Sequence, residues 1–195
     1  GLVTVASMFY RGLAGGASQG ASQGGGGGLL DLLNLGNADA MMSRMMPSML
    51  EFVTAHEVAH QWWHGLVGSD SRAHPFEDEG LAQWSAMLYL DDRYGHARAQ
   101  HDGDMQVRMN YQMMRMQGEA DAAVDRPVDQ FGSPLAYAGL VYGKGPYFYV
   151  EARRALGDAD FFAAMSEYVR TYRLRMAPPD ALETLLARGR HARTV

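Results

Sequence analysis

Five residues, His56-Glu57-Val58-Ala59-His60, and a sixth after eighteen more, Glu79, most narrow what this chain can fold into. On a helix the two histidines stand one turn apart on one face, since each residue advances by about 100°. Their imidazoles can then converge on one ion at roughly 2.0–2.1 Å, while Glu57 projects beside them toward a metal-activated water. Hydrolytic zinc needs three protein ligands and an open position. Glu79 is the best third ligand, and it requires a second helix packed on the first. His56, His60 and Glu79 are therefore the candidate zinc ligands, one ion per chain, with Glu57 as general base.

Other third ligands meet geometric tests. His64 continues the series, but it lies roughly 12 Å along a straight helix from His56, so the two cannot share one ion. A metzincin arrangement needs Gly and then His downstream; Trp63 and Leu66 stand there instead. His74, in a loop before Pro75, stays open as an alternative. The apolar lead-in Glu51–Ala55 and the following Gln61-Trp62-Trp63 mark this helix as largely buried. Buried polar groups need partners, and a metal is one.

The 195 residues suit one domain, with or without a tail, and 47% hydrophobic content can fill a core. Net charge is −5 and the isoelectric point about 5.8, with no basic stripe, so nucleic acid is not the expected partner. The absence of cysteine excludes disulfides and thiolate metal sites and leaves the compartment open. No apolar run is long enough for a membrane span, and no signal peptide is recognised. Gly1 in place of Met reads as the start of a piece cut from something longer.

The expected organisation is mainly α. Residues 1–10 read as a strand, 11–28 as a flexible Gly/Ser-rich loop, and 29–195 as a helical catalytic domain. Ser48 and Glu51 form a capping-box pattern for a helix running to about His64. A loop follows over 66–76. Further helices are expected from about Glu77 to Tyr94, Ala97 to Gln117, Gly145 to Gly157 and Asp160 to Arg175, with a last one after Asp180. The segment 119–134 reads as a loop. Trp62 and Trp63 read as core, as do the methionine groups 41–49 and 105–116, with an adaptable apolar groove as the second reading. His96, His101 and His191 read as surface residues.

The string His56–Trp63, then Leu66-Val67, then Asp78-Glu79-Gly80-Leu81-Ala82, resembles the aminopeptidase N and leukotriene-hydrolase family of gluzincins. Tyr142-Gly143-Lys144-Gly145 is similar to that family's Tyr-x-Lys-Gly. The resemblance implies a thermolysin-like catalytic domain, peptide substrates, and Tyr142 as hydrogen-bond donor to the oxyanion. Lys144 is a lesser candidate, and Tyr137, five residues before Tyr142, can line the same cleft. The chain departs from the family pattern in three places. The upstream Gly-x-Met-Glu-Asn motif and the large N-terminal β-domain are missing. Asp78 stands where Asn is common. His64-Gly65 replaces the frequent Gly-Asn. The implied activity is zinc-dependent, aminopeptidase-like peptide hydrolysis. The competing expectation is a non-catalytic zinc-containing structural or binding module of a larger protein, which a protein side chain such as His64 or His74 in the fourth metal position would favour; the expected partners are a missing N-terminal part or further copies of the chain.

Overall fold

The computed structural model describes the backbone of residues 35–191 and the side chains of 45–188. The strand expected at 1–10 and the loop at 11–28 lie outside the described residues. What is described is mainly α, as the sequence predicts.

Helix α1 (Leu35–Ala59) carries His56 and Glu57. It starts well before the expected capping box. Ser48 lies inside the helix, and the Glu51 carboxylate accepts hydrogen bonds from the Tyr89 and Tyr94 hydroxyls, each at 2.8 Å, instead of capping. Pro47 also sits inside and removes one backbone donor. The helix ends five residues earlier than expected: Gln61 and Trp62 N–H bond back to Val58 and Ala59, and the chain then turns.

Strand β1 (Val67–Gly68) lies in the expected loop and pairs in parallel with β2 (Arg175–Met176). Alternation cannot reveal a two-residue pairing across more than a hundred residues. A π-helical turn (Phe76–Gly80) then opens α2 (Leu81–Tyr94), which closes at Gly95 as expected. The next helical stretch comprises α3 (His96–Gly103), a π-helical turn (Asp104–Arg108) and α4 (Met109–Met116), close to the expected span.

A 3₁₀ turn (Val128–Gln130) interrupts the expected loop. No helix was expected over 135–144, whereas the one expected from Gly145 to Gly157 is observed at Pro146–Leu156. After the turn, α5 (Pro134–Tyr137) passes into a π-helical stretch (Ala138–Lys144) and then α6 (Pro146–Leu156). The glycines of this region allow close approach in the fold. A Cβ at Gly139 would stand 2.5 Å from Met114 Cβ, and one at Gly143 would stand 2.5 Å from the Tyr111 nitrogen. The stretch therefore lies directly on α4. Helices α7 (Asp158–Tyr172) and α8 (Ala181–His191) complete the order.

The principal core is aromatic and joins α2, α6, α7 and α8. Phe76 stacks on Tyr149 with centroids 5.4 Å apart, and Trp84 meets Phe161 at 5.2 Å. Phe52, Ala86, Leu90, Ala99 and Val107 lock α1 to α2 and α3. Each such large side chain contributes roughly 1.5–3 kcal/mol by leaving water. The methionine reading is corrected in part: Met114 is fully buried, but Met109, Met113 and Met116 are exposed. Trp62 is exposed rather than core, while Trp63 packs half-buried and donates to Ser85 Oγ at 2.8 Å. Trp62, Leu50, Thr54 and Val58 line an apolar groove of about 890 Å³ on α1.

Candidate metal centre

Two neighbouring elements build the site. The last turn of α1 presents His56, and His60 follows at its end. The π-helical turn before α2 presents Glu79. His56 Nε2 lies 3.1 Å from Glu79 Oε2 and 3.1 Å from His60 Nε2. The third side, His60 Nε2 to Glu79 Oε2, is 3.3 Å. Four ligands at 2.0–2.1 Å around a tetrahedral ion are separated by about 3.3 Å, so this triangle has the size of one face of a zinc tetrahedron. Among the described residues these three form the only group of His and acidic side chains close enough to share an ion.

The chemistry of the donor set points the same way. His60 Nδ1 lies 3.2 Å from the Trp63 carbonyl oxygen and donates to it. That bond places the ring proton on Nδ1 and leaves Nε2 with its lone pair facing Glu79, as metal-binding imidazoles require. Lone pairs thus converge where only a proton or a cation can reconcile them. Burial opposes charge on His60, but the Glu79 hydrogen bond and charge outweigh it and raise its pKa. Burial likewise works to raise Glu79, yet the two imidazoles pull it down to about 2. Glu79 is therefore a carboxylate at any working pH. The residues fit a zinc ion.

Tyr142 comes to this centre from the π-helical stretch. Its ring lies 5.9 Å from that of His56 and 5.7 Å from that of Tyr137. Burial, then the Glu79 charge and its neighbour Tyr137, push its phenol well above the ordinary value, so it stays protonated and can donate. Tyr137 is raised by burial and by Glu79 in the same way. Glu57 follows His56 on α1, half-buried.

The other sequence candidates sit elsewhere. Lys144 Nζ bonds Asp121 Oδ1 at 2.7 Å and the Ala122 carbonyl at 3.0 Å, tying down the segment after α4. His74 pairs with Asp125 at 2.9 Å and does not reach the centre. His64 is beside Asp78, with Nδ1 to Oδ2 at 3.2 Å. His96 pairs with Asp91 at 3.0 Å on the surface.

Sequence reasoning missed the supports behind the centre. Gln83, buried in the first turn of α2, donates to the Tyr142 carbonyl at 3.2 Å. Asp78 is 4% exposed and accepts from the Glu79 backbone N–H at 2.9 Å. Ser71 donates to Asp78 Oδ2. A buried carboxylate next to a ligand was a readable signal; its partners, seven and fourteen residues upstream, were not.

Residues 33–193 match the family model of the peptidase family M1 domain. No curated protein and no solved structure matches the chain. The match covers most of the sequence, and the chain belongs to peptidase family M1. The helical architecture is that of a catalytic domain from this family, whose peptidases generally depend on zinc. No helix among the described residues is long and apolar enough to cross a membrane.

Proposed function

We propose that the chain catalyses zinc-dependent peptide hydrolysis of aminopeptidase type, with His56, His60 and Glu79 holding one zinc ion. The observation that carries this reading is the triangle of ligand atoms, 3.1, 3.1 and 3.3 Å on its sides. Zinc held there supplies Lewis acidity toward the scissile carbonyl and toward a water. Glu57 takes the proton of the attacking water and returns it to the leaving amine, general acid–base work worth about 10²–10⁴ in rate. Tyr142, protonated and beside Glu79, donates a hydrogen bond to the carbonyl oxygen as negative charge grows on it. Tyr137 borders the same space. The fourth position stays free for chemistry, because His64 and His74 are held by Asp78 and Asp125. That arrangement favours the enzyme over a closed structural zinc module.

The test is metal analysis joined to hydrolysis of free-amine and blocked-amine peptides. One zinc per chain is expected, with cleavage only of the free-amine set. Glu57→Gln should retain the metal and lose about 10²–10⁴ in kcat. A Glu57→Gln protein as active as its parent would end the assignment; cleavage of blocked peptides would end the exopeptidase part.

A further inference from the structure

We propose that the loop Trp63-His64, with Ser71 and Asp78, is one brace that aims two of the three candidate metal ligands. The inference rests on the metal-centre reading above. Trp63 offers its carbonyl to His60 Nδ1 at 3.2 Å, which fixes that ring. The next residue, His64, reaches the other arm. Its Nδ1 lies 3.2 Å from Asp78 Oδ2 and 3.1 Å from Ser71 Oγ. Asp78 in turn holds the Glu79 backbone N–H through Oδ1 at 2.9 Å. A single dipeptide thus connects His60 and Glu79 from behind.

The backbone shows that the contact is built in. His64 has φ 88°, a left-handed conformation that side chains other than glycine rarely adopt. Its N–H donates to the Val67 carbonyl at 2.8 Å, closing the loop at the start of β1. In this conformation the imidazole reaches Asp78. Ser71 is brought to the same carboxylate by a turn in which Asp70 Oδ1 accepts the Arg72 and Ala73 N–H groups, each at 3.1 Å. Asp78 is almost wholly buried while the His64 side chain is 57% exposed. An exposed ring is thereby committed to a buried carboxylate adjacent to Glu79.

His64 and Asp78 are positioning residues. Supports of this kind are worth about 10–100-fold in metal affinity. Zinc affinity is to be measured by chelator competition for the parent, His64→Gly, Asp78→Asn and the double variant. Glycine suits the positive φ, so His64→Gly removes the ring without straining the loop. Each single variant should bind zinc about 10-fold or more weakly, with the melting temperature of the metal-free protein little changed. The double variant should be no weaker than the weaker single one, since both cut the same connection. Amide exchange at Glu79 in metal-free protein provides a second readout. His64→Gly should speed it, leaving amides of α2 unchanged. Parent-like affinity in both single variants, losses that multiply in the double, or unchanged Glu79 exchange would overturn the brace. A parent that binds no zinc while Glu79 exchange still responds to His64→Gly would refute the metal centre and its aiming role, and leave only the loop contact.

Discussion

Glu77→Gln should make the fold markedly less sensitive to alkaline pH. Glu77 is 7% exposed, and its Oε1 has no hydrogen-bond partner. It faces a closed space shared with Glu183, Tyr149 and Tyr168. Burial, then the charges of Glu183, Asp125, Asp78 and Asp180, push its pKa from 4.5 up to about 8. The folded protein therefore keeps a proton that the unfolded chain releases above about pH 4.5. The contribution of this group to stability is complete below that pH, and it is lost as pH rises toward 8. Between those limits the slope approaches one proton, about 1.4 kcal/mol per pH unit. From pH 4.5 to 7 that amounts to about 3 kcal/mol at most, a sizeable part of the roughly 5–15 kcal/mol that stabilises a domain. Gln cannot titrate, so the slope should flatten. The assay is urea unfolding of both proteins at about pH 5, 6, 7 and 8, with chelator present so that metal linkage does not enter. Parallel stability curves for parent and variant would refute the reasoning, because they would mean Glu77 titrates alike folded and unfolded.

Four further outcomes follow from the packing and the centre. Met114→Ala removes a fully buried side chain packed among Phe131, Leu140 and Val141, and should cost about 2–5 kcal/mol in chemical denaturation. Gly143→Ala puts a Cβ 2.5 Å from the Tyr111 nitrogen and should cost about 1–3 kcal/mol while displacing Tyr142, so kcat falls and zinc affinity holds. Tyr142→Phe should lower kcat by about 10²–10³ with zinc content intact, measured in the free-amine peptide assay. Lys144→Met breaks an exposed pair with Asp121 and should change stability by only about 0–1 kcal/mol; a collapse of hydrolysis in that variant would show that Lys144 meets substrate.

The candidate centre was far more legible than the connections around it. The spacing His56-x-x-x-His60 is a local consequence of helical pitch. Glu79 in an acidic triplet at a helix start needed only one further assumption, that two neighbouring helices pack. Both are short-range regularities. Helix α2 was equally clear, because its apolar positions recur at helical spacing and Gly95 ends it. The failures came where tertiary contacts override local rules. Glu51 looked like a cap until Tyr89 and Tyr94 claimed its carboxylate. The stretch 135–144 carried no helix signal, and its glycines let it touch Met114 and Tyr111. Trp62 looked like core because composition cannot tell which side of a helix finds a neighbour.

Those same glycines explain how the centre acquires its tyrosine. Helix α2 opens two residues after Glu79 and in its first turn supplies Gln83, whose amide holds the Tyr142 carbonyl. Glu79 and Tyr142 are thus tied to one rigid element. Tyr142 lies beside His56 on a backbone that runs directly against α4, and the close approach to Met114 and Tyr111 admits no side chain at Gly139 or Gly143. The π-helical geometry of Ala138–Lys144 follows the same constraint: a wider turn re-aims side chains within a helix, and such turns concentrate where function needs a residue out of register. The aim of Tyr142 is therefore set by packing some distance from the ligand atoms. This is why Gly143→Ala should affect catalysis without touching the metal, and why a motif of four residues is found where three helical segments meet.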